Sequence, residues 1–205
     1  MTSIITGDII NSRKLQDQQT WLTPLKQLFL QYGKTPKTWE IFRGDSFQLE
    51  VARPETSLLC AIKIKACIKS IKDLDVRMAI GIGEKAHAAK KITESNGEAF
   101  IYSGETFEKL KKIKKNLAMQ SPWPDLDEEL NLMISLGAIA MDKWTPLSAE
   151  LVLLTLQYNR LSQKELGEKI SRPQSSISEG QKRAHYHEIM ELEAYYHKRI
   201  LEQLK

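Results

Sequence analysis

The segment 76–83 carries no charged side chain after Arg77, and it limits the fold more than any other part of this 205-residue chain. An uncharged run of this length, rich in Ile, Met, Ala and Gly, is typical of a strand that lies inside a sheet and is covered on both faces. The sequence therefore predicts a sheet at the centre of the N-terminal part.

Further strands and helices alternate around this segment. Short β-rich or alternating runs predict strands at 3–6, 38–42, 47–51 and 117–119, and apolar residues at helical spacing predict helices at 16–32, 54–72 and 104–115. The order β-α-β-β-α-β, with further α/β elements, predicts an α+β fold in which a split βαβ, palm-like sheet carries its helices on one face.

Charge and proline divide the chain in two. The net charge is +4, but the excess of Lys and Arg lies before residue 121 and an acidic stretch follows it. Pro122 and Pro124 interrupt any regular element at this point. We therefore predict an α+β domain at 1–121, a linker helix at 122–145 and an all-α domain at 146–205. The apolar residues of the linker helix are Leu126, Leu130, Leu132, Met133, Leu136, Ile139 and Ala140.

Two aspartates stand at matching positions of this predicted sheet. Asp8 follows the first strand, and Asp45 occupies the hairpin turn between the second and third strands. In a split βαβ sheet those strands are neighbours, so the carboxylates can face each other and bind one or two Mg²⁺ ions. The alternative is that both are ordinary turn residues, because Gly-Asp pairs are common in turns.

Four segments carry a family resemblance: GDIINSR at 7–13, GDSFQ at 44–48, RMAIGIGE at 77–84 and NGEAFIYSG at 96–104. They resemble the signature segments of the bacterial SatD family. They are similar, more distantly, to the catalytic domain of class III adenylate/guanylate cyclases, over roughly residues 3–120.

This resemblance implies a nucleotide-cyclase-like fold with Asp8 and Asp45 as metal ligands. It also implies a nucleotide site that includes Gly7, Ile9, Arg13 and Gly44. Cyclases carry an Asn and an Arg one helical turn apart after the third motif, whereas no arginine follows Asn96. Phosphoryl transfer depends on such charge stabilisation, so the departure leaves a nucleotide or metal sensor and an enzyme both open.

The C-terminal part resembles the helix-turn-helix of phage-type repressors and sigma-factor-like regulators. Ser162 and Glu165 form a capping box, Arg172-Pro173 forms a turn, and a second helix begins at Gln174. The residues predicted to face outward and contact DNA bases or phosphates are Gln174, Ser175, Ser176, Ser178, Lys182 and Arg183, with Gln181 also on this face. A plain helical hairpin is the alternative.

These features predict a DNA-binding transcriptional regulator whose cyclase-like domain senses a nucleotide with Mg²⁺. A nucleotidyl cyclase or nucleotide hydrolase with a helical partner module is the alternative. We expect a homodimer on double-stranded DNA, because a single recognition helix binds weakly. A terminal helix at 188–204 packs either on the domain or on a second subunit. The two cysteines and the lack of a long apolar run predict a cytoplasmic protein without a membrane span.

Overall fold

A computed structural model describes residues 1–205 as five strands and eight α-helices. The strands are β1 (Thr2–Ile10), β2 (Trp39–Phe42), β3 (Ser46–Val51), β4 (Asp75–Gly83) and β5 (Leu117–Gln120). The helices are α1 (Gln19–Phe29), α2 (Ser57–Lys69), α3 (Glu98–Ile113), α4 (Pro124–Met141), α5 (Pro146–Gln157), α6 (Gln163–Lys169), α7 (Gln174–Arg183) and α8 (Tyr186–Gln203). The α+β prediction is confirmed.

The strands form one mixed sheet in the order β2-β3-β1-β4-β5. All neighbouring strands are antiparallel except β4 and β5, which are parallel. β4 is buried on both faces, as its lack of charge predicts. β1 is longer than predicted, because its pairing with β3 and β4 continues through Gly7 and Asp8. Asp8 therefore lies within the strand rather than after it.

Helices cover both faces of the sheet, so the prediction that they lie on one face is wrong. Side chains such as Ile5 on β1 and Ile80 on β4 point to the face that packs on α1 and α2, which we call the inner face. Ile4 and Ala79 point to the other face, the outer face, where they pack against α3. α3 connects the parallel strands β4 and β5 across the outer face, and Gly81 leaves no side chain to hold it away.

Helix α3 also begins earlier than predicted. Its first residue is Glu98, six residues before the predicted start at 104, and Gly97 precedes it with a φ of 147°. A residue with a side chain is strained at that φ, and a Cβ there would lie 2.3 Å from the Glu84 carbonyl oxygen. Glycine is therefore required where the chain turns into this helix.

A single core of 38 buried residues runs from the inner face of the sheet into the C-terminal helices. α2 is buried nearly all round, because the sheet covers one side of it and α5 and α8 cover the other. The apolar residues of α8, including Tyr196, are buried within this core, so that helix packs on its own chain. The boundary predicted at residue 121 falls between β5 and α4, and the core is continuous across it.

An ion-pair cluster joins α2, β4 and the end of α4. The Lys65 side chain is 1% exposed, and its Nζ lies 2.9 Å from Asp75 Oδ1 and 2.5 Å from Asp142 Oδ1. Lys69 completes the cluster by donating to the Asp142 carbonyl oxygen. A buried ammonium needs such partners, so these contacts fix α4 against the N-terminal part.

None of the helices has the length and hydropathy that a membrane span requires.

Candidate functional site

Asp8 lies on the outer face of the sheet, in the middle of the five strands. Its Cα pairs with Ser46 on β3 and with Arg77 on β4. Asp8 Oδ2 lies 3.8 Å from Arg77 Nη1, and both side chains keep about a quarter of their surface exposed. Asp8 Oδ1 and Arg77 Nε are buried and have no hydrogen-bond partner. The ion pair is therefore long, and each of the two side chains keeps one polar atom without a hydrogen-bond partner.

The surroundings of Asp8 make its ionised form less favourable than that of an ordinary exposed carboxylate. Burial raises the pKa of Asp8 above its ordinary value, and the charges of Asp45 and Glu108 add to this rise. The positive charges of Arg77 and Lys111 oppose it without cancelling it. A cationic ligand or a hydrogen-bond donor at the free Oδ1 would therefore relieve an unfavourable ionised state.

Asp45 lies at the same end of the sheet, in the turn from β2 to β3. Arg43 and Gly44 in this turn both have positive φ angles, and glycine suits the second of them. The Asp45 carbonyl oxygen accepts from the Ile9 N–H at 3.0 Å, which extends the pairing of β1 and β3. Ser12 Oγ donates to Asp45 Oδ2 at 2.7 Å, leaving Oδ1 free of any hydrogen bond within the chain.

No group of three or more His, Cys, Asp and Glu side chains is arranged to bind a metal ion. Asp8 and Asp45 would supply two carboxylates for a divalent ion at this end of the sheet, and backbone or solvent oxygens would complete its shell. The Arg77 guanidinium would lie beside such an ion and oppose it.

The four residues predicted to bind a nucleotide have different surroundings. A Cβ at Gly7 would lie 2.5 Å from the Phe47 ring, so packing on the inner face explains this glycine. Ile9 is 3% exposed, and its backbone N–H already donates to the Asp45 carbonyl oxygen. Arg13 and Gly44 are exposed, and the Ser12–Asp45 hydrogen bond joins their two turns.

Sequence reasoning did not select Arg77 or Lys111 as site residues. Arg77 is the one charged residue at the start of the uncharged segment, and it points to the outer face as Asp8 does. The alternation of side chains along this strand could therefore have identified Arg77 as a neighbour of Asp8. Lys111 belongs to a run of lysines that the helix dipole explains, and only the packing of α3 on the outer face brings its charge near Asp8.

Helices α5, α6 and α7 pack around a small core of their own. Leu151, Leu166 and Ile177 are buried together, one from each helix. The predicted capping box of Ser162 and Glu165 is present at the start of α6. A Cβ at Gly167 would lie 2.6 Å from the Arg172 carbonyl oxygen, so glycine lets the turn between α6 and α7 approach closely.

One face of α7 is exposed and polar. The side chains predicted to contact DNA are all exposed on this helix: Gln174, Ser175, Ser176, Ser178, Lys182 and Arg183. The outward orientation predicted for Gln181 is wrong, because its side chain is 5% exposed. It donates to Thr155 Oγ1 at 3.2 Å and accepts from Gln163 Nε2 at 2.8 Å. Gln181 lies seven residues after Gln174, at the edge of the exposed stripe, and joins α7 to α5 and α6.

A groove of about 720 Å³ lies beside this face, between the start of α5 and helix α7. Lys143, Arg172 and Arg183 contribute positive charge to its walls, and Thr145 and Ser176 contribute hydroxyl groups. Arg172 is held by Glu150 at 3.0 Å, whereas Lys143 and Arg183 make no ion pair within the chain. The groove therefore presents unpaired cations next to the polar face of α7.

The structure defines an α+β protein with a mixed five-stranded sheet, a polar Asp–Arg site on its outer face and a C-terminal helical segment packed onto the same core. The sequence profile of the SatD family matches residues 3–190, and the chain belongs to that family. The match extends over both the sheet and α5–α7. No curated protein matches the chain.

Proposed function

We propose that this protein is a DNA-binding transcriptional regulator. Helices α5–α7 act as a helix-turn-helix in which α7 enters the major groove. The observation that carries the proposal is the exposed face of α7, where six polar or basic side chains stand clear of the protein's own packing. Gln and Ser hydrogen-bond to base edges, and Lys and Arg contact phosphates.

The groove beside α7 supports the same function. The unpaired cation Lys143 and the Thr145 hydroxyl group lie next to the proposed reading helix, and Ser176 and Arg183 line the groove from that helix itself. A helix in the major groove is flanked by the phosphates of both strands, which need cations and hydrogen-bond donors in this position. Base contacts by α7 and phosphate contacts from the groove thereby lie side by side on one surface.

The N-terminal part has the role of a ligand sensor. The order and directions of the first four strands support a cyclase-like split βαβ sheet, which the similarity of the motifs implies. Asp8 and Asp45 would hold a divalent cation such as Mg²⁺, which would supply positive charge to bind a nucleotide's phosphates. Exposed Arg13 and the open backbone at Gly44 lie on the rim where a nucleotide would bind. The unpartnered Asp8 Oδ1 supports a ligand at this point.

An electrophoretic shift assay with promoter fragments from the protein's own genomic neighbourhood tests DNA binding. We expect sequence-dependent, salt-sensitive binding at micromolar protein or below. Gln174→Ala should reduce discrimination between sites by about 1–3 kcal/mol. Arg183→Ala should weaken binding to every sequence and lower the salt slope by about 1.

Lys198→Ala is the matched control, because Lys198 is 71% exposed on α8 and lies outside the proposed surface. It removes one positive charge, as Arg183→Ala does. Equal losses of DNA affinity in Arg183→Ala and Lys198→Ala would show that only the net charge of the protein matters. The absence of any sequence-dependent shift would rule out a transcriptional regulator.

The enzyme alternative is favoured by the same unpartnered Asp8, because a carboxylate with a raised pKa is a common feature of catalytic sites. Incubation with each of the four nucleoside triphosphates and Mg²⁺ or Mn²⁺ separates the two functions. Turnover that Asp8→Asn abolishes would establish an enzyme. Calorimetric binding without turnover, lost in the same variant, would support the sensor.

A further inference from the structure

Helix α4 has an apolar face that the rest of the chain does not cover. Leu132, Leu136 and Ile139 are 64%, 60% and 59% exposed, although the opposite side of the same helix is buried in the core. Their intervals of four and three residues place them on one face of the helix. Three large apolar side chains in contact with water on one helix are typical of a surface that binds another protein.

The face is continuous with an apolar groove. Next to these residues, α4 and α8 enclose a groove of about 550 Å³, lined mostly by apolar side chains. The two helices approach closely at Gly137, where a Cβ would lie 2.7 Å from Leu192 Cδ2. Met133 and Ala140 form one wall, and Leu192 and Tyr195 form the other. The exposed apolar surface is therefore wider than a single row of side chains.

Opposite charges stand at the two ends of the row. Asp125 and Glu128 are exposed before it, and Lys143 is exposed just past the end of α4. Glu128 and Lys143 make no ion pair within the chain. With Leu132, Leu136 and Ile139, these three charged residues fall on the same helix face, and we call the set of six residues the α4 stripe.

We propose that the α4 stripe is a self-association surface that pairs with the α4 stripe of a second copy in antiparallel orientation. A two-fold axis close to Leu136 brings Leu136 against its own copy and Leu132 against Ile139. The same axis brings the acidic start of each stripe against Lys143 of the other copy. A parallel pairing would place like charges together, so the charge pattern selects the antiparallel arrangement.

The pairing forms without DNA, but it has consequences for DNA binding, and Lys143 belongs both to the α4 stripe and to the groove beside α7. α4 leads directly into α5, so a two-fold axis through α4 relates two copies of the α5–α7 segment. Paired reading helices bind palindromic half-sites, which a single copy cannot do. The oligomeric state is measured without DNA, so the surface and the proposed regulator can fail separately.

Sedimentation equilibrium of the full chain, from about 1 to about 100 µM, tests the surface. We expect wild type to dimerise in this range. Leu136→Glu places two carboxylates together at the axis and should raise the dimer dissociation constant roughly 100-fold or more. Ile113→Glu is the matched control, because Ile113 is 58% exposed at the end of α3, outside the stripe, and this variant should dimerise as wild type does.

A charge exchange tests the orientation and does not alter the apolar residues. Lys143→Glu should weaken the dimer roughly 3–10-fold, because each stripe then has acids at both ends. The double variant Glu128→Lys, Lys143→Glu should restore it. Circular dichroism checks whether Leu136→Glu is folded. If that variant is unfolded, the variants Lys143→Glu and Glu128→Lys, Lys143→Glu test the self-association surface instead.

Three results would overturn the proposal. A wild-type protein that stays monomeric throughout this concentration range would leave the α4 stripe as a surface for a different protein. A dimer unaffected by Leu136→Glu would be assembled through another surface. Failure of the double variant to recover what Lys143→Glu loses would exclude the antiparallel pairing.

Discussion

Replacing Gly81 with alanine should separate α3 from the sheet. Gly81 lies on β4 where α3 crosses the outer face, and a Cβ there would lie 2.2 Å from the Ala99 carbonyl oxygen and 2.4 Å from the Ser103 nitrogen. Both atoms belong to the backbone of one helix turn, so no side-chain rotation removes the overlap. α3 as a whole must move outward.

The cost follows from the size of that movement. Restoring an ordinary contact of about 3.4 Å requires α3 to move by about 1 Å, and a gap of that size forfeits up to half of the dispersion attraction across an interface. Phe100, Phe107 and Leu110 hold α3 on the sheet. Overpacking costs about 1–3 kcal/mol, and the rigid backbone puts Gly81→Ala at the upper end, about 3 kcal/mol. Domains of this kind are stable by only about 5–15 kcal/mol.

Gly104→Ala on the same helix provides a control of opposite sign. No atom lies within 4 Å of a Cβ at Gly104, which occupies the middle of α3. Alanine in a helix interior is more favourable than glycine by about 0.5–1 kcal/mol, so this variant should be more stable than wild type.

Urea unfolding followed by far-UV circular dichroism measures both effects as shifts of the midpoint at unchanged slope. A Gly81→Ala variant within about 0.5 kcal/mol of wild type would show that α3 accommodates the methyl group and would refute the close-packing argument. A loss of stability in Gly104→Ala equal to that in Gly81→Ala would show that any alanine in this region is harmful.

Three further predictions concern buried polar groups. Asp8→Asn should raise the free energy of unfolding at pH 7. The pKa of Asp8 is raised in the folded state, so ionisation of Asp8 destabilises the folded protein once the pH rises above the unfolded pKa of about 4. The gain in Asp8→Asn should therefore disappear in urea titrations below that pH, and a loss of stability at pH 7 would contradict the prediction. Asp75→Ala should destabilise the protein by about 3 kcal/mol, because the buried Lys65 then keeps only Asp142 as a partner. Lys65→Met should stay within about 1 kcal/mol of wild type by thermal unfolding. Equal losses of stability in the two variants would be inconsistent with this explanation. Gln181→Ala should cost about 1–3 kcal/mol by breaking its bonds to α5 and α6, and a change in midpoint below the error of the measurement would show that the network adds nothing.

Local sequence patterns predicted most of the strands and helices, because such patterns reflect which side chains of a segment are buried and which are exposed. The alternation of Phe47, Leu49 and Val51 predicted a strand with one buried face, and that burial pattern is present. The glycine at position 44 predicted a tight turn, and its φ of 90° fits it. Such signals do not say which element covers a face, so the position of α3 and the burial of Gln181 were both predicted wrongly.

The candidate site was predicted in part for the same reason. Asp8 and Asp45 were selected from their place beside predicted strands, and the register brings them to the same end of β1 and β3. Lys111 was not selected, because it lies far away along the chain and its charge acts on Asp8 only through the packing of α3. Residues from distant segments are identified only when the topology is known.

The sequence by itself determined what short-range physics controls: an uncharged strand buried on both faces, a capping box at Ser162 and a polar face on α7. Only the tertiary structure decided that α3 lies opposite α1 and α2, that Lys65 is buried between two aspartates, and that one face of α4 is left uncovered. Periodicity shows that a helix has an apolar face. It does not show whether that face meets the protein's own core or the solvent, because that depends on where distant parts of the chain pack.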